Sequence, residues 1–380
     1  MPRAPSSNIV RFKFTPFLAI VFLGAGVCLG GNEPDFRQIV AADFPRWDSN
    51  HDGELSPAEI NASIENPQVK GEEAAAVVVI RNIFSRNKHL DSSQRLSRDQ
   101  LLAFAEDPSV ENNFGWDTEE INSCNHALFL PGDPDLLTVQ QGPVGDCYLL
   151  AVIGALVSNN PQAVRNMIKP LTNNLFEVDF ADGAKVVVPA ATDAELIQGA
   201  RVGENHGIWL DILEKGYAQR REGTNQVSDD GSAPTVKVPR DFLPGGKTVP
   251  NIRRFTGHKT ANFWLDQANG TNAPPTVQEI HDLLVQLTQA HRLITAGKLK
   301  RGVQLPAGIV RGHCWAVVGY DPESRLVRVF NPWGNEFEPK GPPGLTNGYA
   351  VHHGVFIMPL QEFIQVFQKL NYETGQPLDN

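Results

Sequence analysis

One cysteine of the chain lies where a nucleophile would be useful. Cys147 follows a glycine-broken turn at residues 141–146 and opens an apolar run that continues to residue 156. The run predicts a buried helix, so the thiol lies at a helix N-terminus, where free N–H groups and the helix dipole favour an anion. We therefore expect Cys147 to ionise more readily than a free cysteine, and a thiolate attacks carbonyl carbon atoms.

Two later segments supply the partners that a thiolate needs. His313 lies near the start of residues 310–320, which predict a strand, and imidazole can accept a thiol proton and return it to a leaving amine. Asn331 ends a second predicted strand, because Pro332 removes a ladder donor. An asparagine at that point can bind the imidazole and fix its tautomer. Cysteine, histidine and asparagine in this order predict nucleophilic catalysis.

A second kind of chemistry is predicted near the N-terminus. Residues 48–59 fit the twelve-residue EF-hand calcium loop at every diagnostic position. Gly53 permits the sharp turn, and Leu55 would pair the loop with a partner loop. The alternative is an acidic surface loop. We expect Ca²⁺ as the cofactor and no organic cofactor, with the metal held by oxygen atoms of Asp48, Asn50, Asp52, Glu54, Ser56 and Glu59.

A partner loop is expected about forty residues further on. Placing Leu96 at loop position 8 puts His89 at position 1 and Gln100 at position 12, which leaves too few anionic oxygens for tight calcium binding. Residues 32–110 are therefore predicted to be an EF-hand pair whose second loop is degenerate. The polar residues 111–127 that follow predict a linker.

Residues 1–31 have the pattern of a signal peptide or membrane anchor. An apolar stretch at residues 17–29 follows three basic residues, Arg3, Arg11 and Lys13. We expect an exported protein whose signal is cleaved; the alternative is a single-pass anchor, which alone would give the chain a membrane partner. Cleavage would leave three cysteines, an odd number that fits a free functional thiol.

The composition limits the classes of protein that remain. The 380 residues allow two or three domains, and the 41% hydrophobic content supports ordinary globular cores. The net charge of −10 argues against a nucleic-acid partner, and four cysteines are too few for a disulfide scaffold.

The remaining elements must position the cysteine, the histidine and the asparagine. A hairpin at residues 174–188 and a helix at residues 211–219 are predicted after the nucleophile, and a loop rich in Gly, Pro, Ser and Asp spans residues 225–250. An amphipathic helix at residues 277–291 precedes the strands of His313 and Asn331. The pattern indicates an α+β protein.

These segments resemble those of a known family. QGPVGDCYLLA around Cys147, GHCWAVVGY around His313 and NPWG after Phe330 resemble the active-site segments of calpain-type cysteine proteases, within the papain-like class. WLDILEKGYA at residues 209–218 and FTG at residues 255–257 extend the resemblance, which covers roughly residues 128–370.

The resemblance implies both a fold and an activity. The fold would be a papain-like two-lobe core, with a helical lobe at residues 128–235 and a β-sheet lobe at residues 236–375, preceded by the α-helical EF-hand pair. The activity would be endopeptidase cleavage of protein or peptide substrates through an acyl-enzyme on Cys147. By the same resemblance, the side-chain amide of Gln141 would be an oxyanion donor, and Trp333 would shield the hydrogen bond between the histidine and the asparagine.

The sequence departs from the family at positions that bind calcium in animal calpains. Thr138 stands where an Asp is expected nine residues before the nucleophile, and Phe337 stands near the second acidic position, with Glu336 one residue early. Calcium is therefore expected only at the EF-hand loop. Cys314, next to His313, is expected to pack in the core, because neighbours on a strand point to opposite faces.

Two other functions remain open at this stage. One is a non-catalytic calcium-binding interaction protein on a calpain scaffold, and the other is a papain-fold acyltransferase that passes the acyl group to an amine.

Overall fold

The computed structural model describes most of the chain, namely residues 35–86, 94–201, 206–222, 243, 245–267, 269 and 273–379. The predicted targeting segment at residues 1–31 lies outside them, as do most of the predicted loop at 225–250 and His89 of the second calcium-type loop. Among the described residues no single helix is long and apolar enough to cross a bilayer. Two consecutive helices, Cys147–Asn159 and Pro161–Met167, are long and apolar enough only when taken together, and they are bent by 115° at the break between them.

The N-terminal part is helical. Its helices α1 to α5 are Phe36–Trp47, Pro57–Glu65, Gly71–Arg86, Arg98–Phe104 and Pro108–Ser123. The loop after α1 leads into the short strand β1, Glu54–Leu55, which pairs antiparallel with β2, Leu96–Ser97. Leu55 lies opposite Leu96, and both side chains are buried in one apolar core with α1 and α3.

The linker predicted at residues 111–127 is wrong, because α5 occupies most of that segment. The helix begins at Pro108, and the Asp107 side chain caps it by accepting from the Ser109 N–H group at 2.9 Å. A narrow stripe of the helix is buried at helical spacing: Val110, Phe114, Thr118 and Ile121. Most of the acidic and amide side chains that suggested a linker lie on the remaining faces, which are exposed or partly exposed.

The next part surrounds a buried helix. Helices α6 to α9 are Cys147–Asn159, Pro161–Met167, Asp193–Leu196 and Trp209–Glu222, and a 3-10 turn at Leu136–Thr138 precedes them. Residues 148–157 of α6 are all buried, as the apolar run predicts. A three-stranded sheet lies beside them, formed by strands β3, β4 and β5 at Ile168–Pro170, Leu175–Asp179 and Lys185–Pro189. The predicted hairpin is confirmed as the antiparallel pair of β4 and β5.

The C-terminal part is a seven-stranded antiparallel sheet with helices packed on it. Strands β6 to β12 are His258–Trp264, Ile294–Leu299, Trp315–Asp321, Leu326–Phe330, Val351–His352, Val355–Pro359 and Phe367–Pro377. Their order in the sheet is β10-β11-β9-β8-β7-β12-β6. Helices α10 to α12 are Thr248–Thr256, Val277–Gln289 and Leu360–Val366. Thus α10 begins inside the predicted loop at 225–250, and α11 confirms the predicted amphipathic helix.

Shared cores join these parts. Ala316 of β8 and Phe330 of β9 are buried in the same cluster as α6, so the sheet packs against the helix that carries Cys147. Short α8 packs into the core of the N-terminal helices through Ala194 and Ile197. The histidine and the nucleophile are thereby brought together although 166 residues separate them in sequence.

Candidate active site

The nucleophile is the first residue of a helix, as the sequence predicts. Cys147 begins α6 directly after Asp146, and its thiol is half-buried. A hydrogen bond from the Cys314 thiol, followed by the hydrogen bond and positive charge of His313, outweighs the opposing effect of burial and lowers the pKa of Cys147 to about 4. Because this pKa lies below 7, the thiolate form is favoured at neutral pH, and the effect of His313 on it indicates that the fold brings these two residues close together.

The histidine is fixed by the predicted asparagine. His313 Nε2 lies 2.7 Å from Asn331 Oδ1, and the two side chains are only 4% and 2% exposed. The Asn331 amide is itself oriented, because its Nδ2 donates to Asn335 Oδ1 at 3.0 Å and its Oδ1 accepts from the Trp333 N–H group at 3.1 Å. Since an amide oxygen only accepts, Nε2 carries the imidazole proton, and Nδ1 is left to exchange a proton with sulfur.

Two indole rings hold the imidazole from different sides. The Trp333 ring centroid lies 4.4 Å from that of His313 at an interplanar angle of 38°, and Trp333 is 39% exposed. Trp333 thus lies beside the histidine, and its shielding of the hydrogen bond between His313 and Asn331 stays a prediction. Trp315 lies 4.8 Å away, edge-on at 85° and fully buried, and sequence reasoning missed it. The sequence signal that could have identified Trp315 is its position two residues after His313.

Gln141 ties the nucleophile loop to the turn that follows Asn331. The Gln141 N–H group donates to the Pro332 carbonyl oxygen at 2.7 Å. Its side-chain Nε2 donates to the carbonyl oxygen of Val144. Because an amide nitrogen has two hydrogens, one is not used by this bond.

The nucleophile loop lies directly against another backbone segment. A methyl group on Gly142 would lie 1.9 Å from the Gly199 carbonyl oxygen, so no larger residue fits without movement. Two residues from these glycines along each segment, the Arg201 N–H group donates to the Gln140 carbonyl oxygen at 2.8 Å. Glycine at position 142 is therefore required by close approach of two backbones.

A cluster of buried carboxyl groups under the nucleophile was missed by sequence reasoning. Asp146, Asp211 and Glu214 are all buried, and the Glu214 carboxylate accepts from the Ala200 N–H group at 2.8 Å. Burial, and then the charge of Glu214, raise the pKa of Asp146, which favours the neutral acid. A charged Asp146 would oppose the Cys147 thiolate, so its neutral form favours the nucleophile. The sequence signal that could have revealed this cluster is the three-residue spacing of Asp211 and Glu214 on a predicted helix.

The prediction that Cys314 packs in the core is confirmed, because its side chain packs against the buried cluster around α6, but the reason given for it is wrong. Strand β8 begins at Trp315, so His313 and Cys314 lie in the loop before it, where the alternation of a strand does not apply. Hydrogen bonding from Cys314 is the largest of the influences that lower the pKa of Cys147, and the pKa of Cys314 is raised by the same hydrogen bonding, by burial and by the charge on Cys147. The ionisation of Cys147 therefore depends on two consecutive residues, His313 and Cys314.

Two of the four carboxylates of the predicted calcium loop are buried, those of Asp48 and Glu59. The Asp48 carboxylate is 5% exposed and accepts from the N–H groups of Asp52 at 3.1 Å and Gly53 at 2.9 Å. Gly53 has a φ of 84°, which fits the predicted turn. Glu59 is 8% exposed and accepts from the Ser56 N–H group at 2.9 Å. The donors of this loop are hard oxygens, which suit Ca²⁺ in type.

Two observations bear on how well the loop fits a metal. The Asp52 carboxylate forms an ion pair with the Arg95 guanidinium from the segment before β2. Within the part of the chain that the structure describes, no three side chains of His, Cys, Asp or Glu are gathered as a metal group. A cation at this loop would have to displace Arg95 from Asp52.

The positions that depart from the calpain pattern have other partners. The Thr138 hydroxyl donates to the Asp135 carbonyl oxygen at 2.8 Å, and the Phe337 ring packs against the core of the sheet. Glu336 accepts from the His353 N–H group and lies 3.2 Å from His352 Nδ1.

Comparisons with known proteins agree on one family. A family model described as calpain family cysteine protease matches residues 91–344. Rat calpain-9 is 24% identical over 237 residues, which are 56% of this chain and 30% of that protein. The bovine calpain-2 catalytic subunit is 25% identical over 284 residues, which are 65% of this chain and 37% of that protein. The matched region thus spans about a third of the length of these relatives.

A solved structure was also found to be similar. It is xylellain, a cysteine protease from Xylella fastidiosa, with 14% sequence identity and a TM-score of 0.25. The match covers 68% of this chain and 88% of that chain.

Proposed function

The chain belongs to the calpain family of cysteine proteases, and on that premise we propose that it is an endopeptidase that cleaves peptide bonds through an acyl-enzyme on Cys147. One observation carries the proposal: the pKa of Cys147 at the start of α6 is lowered by hydrogen bonding from Cys314 and then from His313, and His313 Nε2 lies 2.7 Å from Asn331 Oδ1. A thiolate, an imidazole and an orienting amide in this order are the parts that thiol-dependent acyl transfer needs.

The proposed reaction uses these groups in sequence. The Cys147 thiolate attacks the peptide carbonyl carbon, and the charge that develops on oxygen is met by the Cys147 N–H group and the free amide hydrogen of Gln141. His313 gives its proton to the leaving amine, and water then releases the acyl group with the imidazole as base. Asn331 and Trp333 keep the ring in one orientation through both steps.

Peptide hydrolysis by the purified protein tests this proposal. We expect Cys147→Ala and His313→Ala each to abolish cleavage of casein or of a fluorogenic peptide. Cys124→Ala is the matched control, because burial, followed by the charge of Asp211, raises the pKa of the Cys124 thiol to about 12 and keeps it unreactive. Undiminished cleavage by Cys147→Ala would refute the assignment.

Product analysis separates hydrolysis from the two other functions. Transfer of the acyl group to an added amine in preference to water would indicate an acyltransferase. Failure of iodoacetamide to label Cys147 at neutral pH, together with no cleavage, would indicate a non-catalytic scaffold.

We also propose that the loop at residues 48–59 binds Ca²⁺. The metal would be held by oxygen atoms of the six predicted ligands, Asp48, Asn50, Asp52, Glu54, Ser56 and Glu59. The proposal is supported by the buried carboxylates of Asp48 and Glu59 and by the pairing of Leu55 with Leu96. The ion pair of Arg95 with Asp52 argues for a weak site, which is sufficient where calcium is in the millimolar range.

A contact path from this loop reaches the nucleophile loop. Glu59 lies on α2, and the Ile64 carbonyl oxygen of the same helix accepts from the Thr192 hydroxyl at 2.6 Å. Thr192 caps α8, and the segment after α8 contains Gly199, which meets Gly142. We propose that calcium stabilises this path and thereby the nucleophile loop.

Thermal unfolding tests the calcium proposal without relying on activity. We expect calcium to raise the Tm of the protein and chelator to lower it, and we expect Glu59→Gln to remove that difference. Glu54→Gln is the matched control, because position 7 contributes only its backbone carbonyl. An equal calcium effect in Glu59→Gln and the unmodified protein would refute this site.

We propose export as the localisation, from the targeting pattern at residues 1–31. The partners would then be protein or peptide substrates outside the cytoplasm, with no nucleic acid, and a membrane only if the segment is retained. N-terminal sequencing of the natural protein distinguishes cleavage from retention.

A further inference from the structure

A pocket with positively charged walls lies beside the active-site histidine. It has a volume of about 480 Å³ and is formed by the end of strand β7 and the loop that precedes β8. Three cationic side chains line it, those of Lys298, Arg301 and Arg311, and among the described residues its walls contain no acidic group. Because the whole chain has a net charge of −10, this local excess of positive charge runs against the composition and points to an anionic ligand.

The pocket adjoins the histidine through two glycines. Gly312 lines it and directly precedes His313, and a methyl group on Gly297 would lie 3.7 Å from the His313 carbonyl oxygen and 3.3 Å from Cys314 Sγ. Consecutive Cα atoms are about 3.8 Å apart, and an extended peptide advances about 3.4 Å per residue. A substrate bound at the nucleophile therefore passes the pocket within about three residues of the scissile bond.

The loop backbone orients one of the two guanidinium groups. Arg311 Nη1 donates to the Lys300 carbonyl oxygen at 2.8 Å, and Nη2 of the same group donates to the Val303 carbonyl oxygen at 3.4 Å. A guanidinium has five N–H donors, so donors remain after these two bonds, and neutral carbonyl oxygens do not cancel its charge. Within the part of the chain that the structure describes, neither Arg311 nor the exposed Arg301 forms an ion pair with a carboxylate.

Further amines strengthen the positive field on this side of the sheet. Lys298 Nζ lies 4.4 Å from the Trp264 ring centroid, and Lys369 Nζ lies 4.9 Å from the same centroid. Burial, and then the charge of Lys298, lowers the pKa of Lys369, as expected where positive charges are crowded. Asp266, just after β6, lies 3.9 Å from Lys300, and this ion pair leaves the cations that line the pocket unmatched.

We propose that this pocket binds an acidic side chain of the peptide substrate, so that the protein prefers aspartate or glutamate within about three residues of the bond that it cleaves. A guanidinium presents paired N–H donors that match the two oxygens of a carboxylate, and a nearby amine adds a second positive charge. The inference rests on the proposed proteolysis and adds the class of substrate to it.

Matched peptides test the preference. Fluorogenic peptides are made in pairs that differ only by glutamate or glutamine, at each of the three positions on either side of the cleaved bond. At one position or more we expect kcat/KM of the full-length protein to be about five-fold higher for glutamate at low salt. The ratio should fall as salt is added, because exposed charges are screened.

Variants identify the pocket as the source of the preference. Arg301→Gln and Lys298→Gln should each bring the ratio of glutamate to glutamine peptides closer to one, and Arg301→Glu should favour a lysine peptide over the glutamine peptide. Arg311 stays unchanged because it also holds the loop backbone. Arg37→Gln is the matched control, since it removes the same charge from an exposed position on α1 and should keep the ratio. Each ratio is taken within one variant, so a loss of folded protein cancels.

Three outcomes would overturn the proposal: equal kcat/KM for every pair of peptides, a ratio that persists in both Arg301→Gln and Lys298→Gln, or binding of inorganic phosphate or of phosphatidylserine vesicles without any preference among peptides. If the protein cleaves no peptide, the proposed protease function falls. Fluorescence anisotropy of labelled glutamate and glutamine peptides then decides on the pocket: tighter binding of the glutamate peptide that is lost in Arg301→Gln supports it, and equal binding refutes it.

Discussion

Replacing Cys314 by alanine is expected to raise the pKa of Cys147. The Cys314 thiol is the largest of the favourable influences that lower this pKa to about 4. A hydrogen bond to a charged group contributes about 1.5–3 kcal/mol. Because one pKa unit corresponds to about 1.36 kcal/mol, the loss of this bond should move the pKa upward by about one to two units. The N–H group of residue 314 and His313 remain, so the thiol should still ionise below the range of a free cysteine.

The rate of alkylation by iodoacetamide, measured across about pH 3 to pH 8, reports this pKa because only the thiolate reacts. The thiolate fraction rises as pH rises through the pKa, so the unmodified protein should reach half of its maximal rate near pH 4. Cys314→Ala should reach half of its maximal rate at a higher pH, and Cys314→Ser should lie between them. Cys124→Ala should leave the midpoint in place. A midpoint in Cys314→Ala that matches the unmodified protein would refute the assigned role of the second thiol.

Three further substitutions test the geometry around the nucleophile. Gly142→Ala should lower kcat/KM at least about ten-fold, because the new methyl group lies 1.9 Å from a backbone oxygen, whereas Gly145→Ala enters open space and should lose much less. Asn331→Ala should lower kcat about a hundred-fold or more by freeing His313, and a variant with unchanged kcat would contradict the orienting role. Gln141→Ala should lower kcat about a hundred-fold with little change in KM, as expected for an oxyanion donor; a change confined to KM would argue against it.

The contact path from the loop at residues 48–59 to the nucleophile loop depends on packing that the individual motifs do not reveal. Thr192 and α8 belong by sequence to the protease block, but α8 is buried in the core of the N-terminal helices. The helix α5 that replaces the predicted linker also packs against α3. A signal between the two parts would therefore pass through packed helices and would not depend on a flexible connection.

Several features of the site could be predicted because they depend on local chain chemistry. A glycine-broken turn before an apolar run places Cys147 at a helix start, and Pro332 ends a strand at Asn331. In the same way, the hairpin of β4 and β5 could be predicted from its turn residues, and the amphipathic helix α11 from the helical spacing of its apolar residues.

Other features required contacts between distant segments. The raised pKa of Asp146 depends on its burial and on the charge of Glu214, which comes from another helix. The effect of Cys314 on the nucleophile depends on its place in the loop before β8. The predicted linker was wrong because a narrow buried stripe is hidden among polar residues until another helix covers it.

The sequence by itself determined which residues could do chemistry and where most of the elements that carry them begin and end, since those depend on neighbours along the chain. Only the tertiary structure decided that one thiolate is shared by an imidazole and a second thiol, and that carboxyl groups beneath it are buried. Ionisation depends on desolvation and on charges a few ångströms away, and both are set by packing between segments that the sequence holds far apart.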